Sequence, residues 1–461
     1  MRCTGRVAAL AALILITLSG CALPGTGGPP DPEAGETGAE QPTGAVQASD
    51  AEQGAGGETG THAEPSTQPE SSPWRAGMAS FPLVEMREPS PFPSVYLPAE
   101  VQAADLVAEQ GRFVLEVATG TIWRVDAQSG FYAWSPTDNA LALSRAAMMR
   151  EGLDVVMIES QSATPLVTGR VHHAAWMPDG SHLAFVLTGS GPDRVPTGPY
   201  LISREGGPVW RLSEGESNFF TAQWAPSGEW LSYSLPGAAS GAVNMQTGKR
   251  LELSSILKTP WSVWVPDSPY MTLYGSAGVA IFDPSTEQVV GSTERVAVQR
   301  EGAQFSRDGR LLLIQASHAR SGDPPRFALY RSPDGLQRPL LEGVGRWARL
   351  SPDGAWIAYI SDGCSESGWD LSVTATSGGG RRVLTQDPQT VRHSPWWAHH
   401  ANQIAFVEGT RLKLADPATG EIRTVLEAPE GTVLSMPYNP WSADGRFLAF
   451  TVGPTPPICP R

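Results

Sequence analysis

Few residue groupings in this chain of 461 residues could do chemistry. Ser255-Ile-Leu-Lys258 has the spacing of a serine nucleophile with a lysine base, but such a pair acts from a helix with partner motifs, and here it ends a strand pair. His172-His173 and His399-His400 are adjacent pairs. Neighbours on a strand point to opposite faces, so neither pair reads as a metal clamp and all four read as satisfied or solvated histidines. The recurring Asp-Gly pairs lack the spaced acids of a calcium loop and read as turn formers. No cofactor is expected.

One constellation is more suggestive. Phe131, His173, Phe220, Trp261, Arg346 with Trp347, His393 and Tyr438 each stand three or four places before a recurring marker residue. If the segment entering each marker rims a channel, these residues form a concave mouth of aromatics with a few polar donors, which suits ligand binding. The competing reading is that they fill the core. Glu301 is the only acid close to this column, so a catalytic carboxylate pair is not expected there.

The elements that must position such a rim come from a repeat. Leu350-Ser351-Pro352-Asp353-Gly354 leads into the apolar run Trp356 to Tyr359, and seven relatives begin at Trp134, Trp176, Trp224, Trp264, Phe305, Trp397 and Trp441. Pro sets φ, Asp bonds the backbone ahead and Gly accepts positive φ, so each unit is a turn feeding a strand. The markers are 40 to 48 residues apart. That period, with strands and no helical pattern, predicts propeller blades. Between the turns lie paired strand candidates, such as Gly152 to Glu159 with Pro165 to Thr168, and Arg411 to Ala415 with Glu421 to Leu426. The tryptophan markers read as packing between blades.

The last turn has no strand pair after it, whereas an extra pair, Phe113 to Val117 and Thr121 to Val125, precedes the first. Closing the ring with strands from both ends pairs edges that would otherwise lie open. The expectation is an all-β, eight-bladed propeller of four-stranded blades over residues 113–461. Seven is the alternative, should the Trp264 or Trp397 unit be irregular.

With the later Gly378-Gly379-Gly380 and Val383-Leu384-Thr385, the unit resembles the repeat of TolB-type propellers over about three quarters of the chain. That family has six blades and an N-terminal α/β domain, so its transport role is not carried over. Similar repeats form the propeller of prolyl-oligopeptidase-type enzymes, but no Gly-x-Ser-x-Gly elbow is present.

At the start, Arg2 and Arg6 precede an apolar stretch from Val7 to Leu18, which reads as a secretory signal over residues 1–20. Leu18-Ser19-Gly20-Cys21 resembles the lipobox of bacterial lipoproteins. The resemblance implies that Cys21 is the lipidation site, joining the chain to a lipid bilayer. Residues 21–72 hold nine acids, no Lys or Arg, and much Gly and Pro, the composition of a disordered tether spanning roughly 40 Å. Residues 73–112 read as a Pro-rich extension packing on the propeller, with a short helix expected from Ala99 to Glu109.

The formal charge is -14. Removing the two leader arginines gives -16, and setting aside the nine tether acids leaves about -7 on the remainder. That sign excludes nucleic acid as a partner. Cys3 falls in the leader, which leaves Cys364 and Cys459. Two thiols in an oxidising compartment suggest a disulfide, with two unpaired thiols as the alternative. The expected function is a monomeric, lipid-anchored binding or scaffold protein of the bacterial cell envelope, facing an unknown envelope protein, peptide or glycan. The competing function is a lyase or hydrolase acting on sugars at the channel mouth.

Overall fold

The computed structural model describes residues 81–86, 97–107, 111–126, 129–145, 151–188, 196–212, 221–234, 240–257, 261–293, 298–316, 325–362, 369–385 and 395–454. Cys21, Phe220, Lys258, Cys364, His393 and Cys459 lie outside them, as does the whole expected tether.

Eight separate antiparallel sheets follow one another along the chain. In the first blade the strands Ser129–Trp134, Ala140–Arg145, Gly152–Met157 and Ser162–Thr168 pair in sequence order. Six more blades repeat this order, and their first strands are Arg170–Trp176, Thr221–Trp224, Trp261–Trp264, Val298–Phe305, Arg346–Leu350 and Trp396–Trp397. The fourth and seventh blades, built on Trp264 and Trp397, are complete four-stranded sheets, so the count is eight. The eighth blade joins Thr432–Ser435 and Phe447–Pro454 to Gly111–Glu116 and Ile122–Asp126. Its seam pairs Phe113 with Phe450, whose rings stack at 5.5 Å.

The core is divided the same way. Eight buried apolar clusters are present, each filled from two successive blades. Leu313, Phe327 and Leu329 of the fifth blade, for instance, meet Leu350, Ile357 and Tyr359 of the sixth. Both faces of each sheet are therefore dry, which is why the middle strands read as near-continuous apolar runs rather than alternating ones.

The extension adds a fifth strand to two blades. Leu83–Val84 pairs with Val209–Arg211 of the second blade, and Ala99–Val101 with Ile122–Asp126 of the eighth. The helix expected from Ala99 is corrected: after that strand comes one 3-10 turn, Ala103–Val107, whose Leu106 is wholly buried. The open edge of Ile122–Asp126 supplies backbone partners, and tertiary pairing outweighs a weak helical preference. No helix of the described residues is long and apolar enough to cross a membrane.

Candidate functional site

The markers are structural clasps. The indole N–H of Trp176 donates to the Ala133 carbonyl at 2.9 Å, that of Trp224 to Ala175 at 3.1 Å, and that of Trp264 to Gln223 at 3.0 Å. Trp397 donates to Arg349 at 2.9 Å, Trp441 to Trp396 at 3.2 Å, and Trp134, across the seam, to Pro440 at 2.9 Å. Each indole thus takes the carbonyl just before the marker of the preceding blade. The side chains of Phe305 and Leu350 have no N–H to give. At the junction of the fifth and sixth blades two glutamines of the fifth substitute: Gln304 Oε1 accepts from the Leu350 backbone N–H at 2.8 Å, and Gln315 Oε1 from that of Ala348 at 3.0 Å.

Past each marker lies the turn. In the sixth blade the Ser351 hydroxyl donates to Asp353 Oδ1 at 2.6 Å, and the same oxygen accepts the Ala355 N–H at 3.0 Å. Gly354 closes the turn at φ +72°, which a side chain rarely adopts. Ser306 with Asp308 and Ser442 with Asp444 repeat the arrangement. Burial opposes ionisation of Asp353, but hydrogen bonds from Ser351, Ala355 and Asn402 outweigh it and hold its carboxyl below the usual aspartate value. The Ser306 hydroxyl does the same for Asp308.

The seventh turn departs from this pattern. His399 and His400 occupy the places that Pro352 and Asp353 hold one blade earlier. They lie in a bend rather than a strand, so the opposite-face expectation does not hold for this pair, and both side chains line one cavity. That cavity, of about 530 Å³, opens at the turn side of the ring and is walled by the fifth to eighth blades and the first. Arg307 and Gln304 come from the fifth blade, Arg349 from the sixth, Trp396 and both histidines from the seventh, and Tyr438 and Asn439 from the eighth. Trp396 and Tyr438 meet edge to face at 5.1 Å, and the Arg349 guanidinium lies 4.4 Å from the Trp396 ring centre. Burial and the neighbouring His400 push the His399 imidazole below its ordinary value; the Asn439 carboxamide works the other way, and Arg307 adds to the lowering.

A second cavity of about 360 Å³ shares Trp134, Tyr438 and Asn439 with the first and reaches His173 and Gln223. Residues 436–440 therefore form a spur between the two, with Asn439 at φ +50° and the Tyr438 ring 57% exposed. Of the residues singled out from the sequence, Tyr438 and His173 line these cavities. Trp261 and Trp347 pack against blade interfaces, Trp347 at a strand irregularity with φ +52°. Arg346 is paired in the same irregular strand, and Phe131 lies on the first inner strand.

The sequence reading missed Gln304, Arg307, Arg349, Trp396 and the His399-His400 pair as lining. A signal existed. Two places after the marker, five repeats carry proline (Pro136, Pro178, Pro226, Pro266 and Pro352), whereas Arg307, His399 and Ala443 break the rule. One place before it, Ala133, Ala175 and Val263 are small or apolar, whereas Arg349 and Trp396 are large.

No family model and no curated protein matches this chain. Among solved structures it is similar to Porphyromonas gingivalis dipeptidyl peptidase 4, at 10% identity and TM-score 0.51 over 74% of this chain and 62% of that one. It is also similar to the β-propeller domain of Myceliophteria_thermophila Cps50 (Swd1), at 13% identity and TM-score 0.41 over 64% and 95% of the two chains. Kuenenia stuttgartiensis hydrazine synthase matches at 12% identity and TM-score 0.38 over 65% and 96%. Likeness at this level concerns the fold alone: the chain is an eight-bladed β-propeller.

Proposed function

We propose that this chain is a TolB-like propeller lipoprotein, held at a bacterial membrane through acylated Cys21, which uses the turn-side cavity to bind a partner or ligand outside the cytoplasm. Propellers serve broadly as binding scaffolds, and a concave site with aromatic walls and a few polar groups is what ligand pockets use. The observation that carries this reading is that the side chains breaking the repeat converge on one cavity. Scaffold needs do not explain them, because the first four blades all have proline after the marker and Ala, Gln or Val before it. Among the described lining residues there is no Asp or Glu, so none of them supplies the carboxylate pair of a sugar hydrolase.

Two experiments test the proposal. Labelling cells with an alkynyl fatty acid should mark the protein and fail to mark Cys21→Ala; an unlabelled parent protein would remove the anchor. A photo-crosslinking amino acid at Tyr438 should capture a cellular component that the same group at Trp261 does not. Equal capture from both positions, or from neither, would move the site elsewhere.

A further inference from the structure

We infer that the turn-side cavity takes an organic anion, whose carboxylate or phosphate is held by Arg307, Arg349 and the His399-His400 turn while its ring lies in the corner formed by Trp396 and Tyr438. This rests on the reading of that cavity as the binding site and adds the chemical class of what enters it.

Charge segregation is the first argument. The chain has 47 acidic against 33 basic residues, yet this cavity is lined by two arginines and two histidines with no carboxylate among the described lining residues. The acids that approach it, Asp267, Asp308 and Asp353, line an adjoining outer depression together with Arg307 and the two histidines. Asp308 and Asp353 are engaged in their own turns, Asp353 additionally by Asn402 at 2.7 Å. Arg307 is exposed, and none of these carboxylates comes within ion-pair distance of it. A cation left at a concave rim, beside a second guanidinium fixed by stacking, is how oxyanions are usually gripped.

The aromatic corner is the second argument. The Trp396 indole N–H is buried without a hydrogen-bond partner, unlike every marker indole. A buried donor left unpaired calls for an acceptor, and a ligand oxygen supplies one. The volume of about 530 Å³ suits a ring compound of one or two rings.

Proton linkage is the third. His399 faces His400 on its own turn, Arg307 across from the fifth blade, Arg349 from the sixth and Asn439 from the eighth, with Asp267, Asp308 and Asp353 around the outer depression. The free site therefore disfavours its proton, and an anion bound beside it would restore it. Binding then takes up a proton, so affinity rises as pH falls through the anion-bound pKa and levels off below the lower free-state pKa.

The test is calorimetric titration of the protein with glucuronate, glucose 1-phosphate and glucose at pH 6 and pH 8. At least one anion should bind, about tenfold or more tighter than glucose, and tighter at pH 6 than at pH 8; which anion wins separates carboxylate from phosphate. Arg307→Gln should weaken it about tenfold with an unchanged melting temperature. Trp396→Ala should weaken glucose and anion alike. If glucose binds as tightly as both anions and Trp396→Ala removes it, the anion inference falls while the site reading stands. Anion binding undiminished in both Arg307→Gln and Trp396→Ala would sink the site reading itself. Failure of both anions to bind at millimolar concentration would overturn the inference.

Discussion

The first four blades and the last four solve the same packing problem with different freedom. In the arc from Trp134 to Trp264 every marker is an indole that clasps the blade before it, and every turn carries proline two places on. In the arc from Phe305 to Trp441 two markers lack the indole, two glutamines bridge the one junction between the fifth and sixth blades, and only one turn of four keeps that proline. The cavity with the two arginines and two histidines draws most of its wall from this second arc. The difference teaches that a repeat protein can shape a cavity where the repeat is relaxed while the remaining units keep the clasps that join the blades.

That contrast can be attacked by substitution. Trp224→Ala, in the regular arc, removes a ring that is 8% exposed and should cost about 3–5 kcal/mol, read by denaturant unfolding. A loss under about 1 kcal/mol would mean that the clasps are not what holds the ring. Gln304→Met, in the relaxed arc, strands the Leu350 N–H and should cost about 1–3 kcal/mol. Trp224→Phe keeps an aromatic ring but loses the bond to Ala175 and part of the indole's volume, so about 1–2 kcal/mol is expected. If Trp224→Phe proves costlier than Gln304→Met, the glutamine is not an equivalent clasp.

Acid is the next probe. Asp308, Asp353 and Asp444 all have lowered pKa values, so the stability they contribute is complete above the ordinary aspartate value of 3.8 and is lost as pH falls through their lower folded values. Asp353→Asn should flatten the acid limb of the stability curve by lowering stability at pH 7, where the ionised carboxylate contributes, while leaving it near the parent value at acid pH. A limb unchanged by the substitution would show that the turn carboxylates carry no such linkage. The smallest effect belongs to Arg307→Gln, whose exposed guanidinium should matter to stability by less than about 0.5 kcal/mol.

Much of the architecture was legible in the sequence, for a physical reason. Turn chemistry and strand patterning are local, and a period of 40 to 48 residues repeated eight times averages away the weakness of each match. The strand pair expected over Arg411 to Ala415 and Glu421 to Leu426 is observed as Arg411–Ala415 and Ile422–Glu427. Ring closure was legible because a pair was missing at one end and supernumerary at the other. The cavity was not, because averaging also hides exceptions. Arg349 and Trp396 look like poor matches to the repeat until closure brings them within 4.4 Å. His399-His400 looked like a strand pair because its turn has at those two places neither the Pro nor the Asp of which every other turn keeps at least one. The strand at Ala99 was hidden because its partner, Ile122–Asp126, is an edge created only by the fold.

The seam of the eighth blade sets the order in which the molecule can become competent. Its inner strands are the last of the described residues to leave the ribosome, and they pair with Gly111–Glu116, made more than three hundred positions earlier. Tyr438 and Asn439, which stand between the two cavities, belong to the same late segment, and the Trp134 indole closes on Pro440 beside them. A nascent chain halted just before that segment would carry the strands of seven blades but no finished cavity. The cavity therefore doubles as a checkpoint on synthesis, since only molecules in which Gly111–Glu116 has met the late strands have all of its walls.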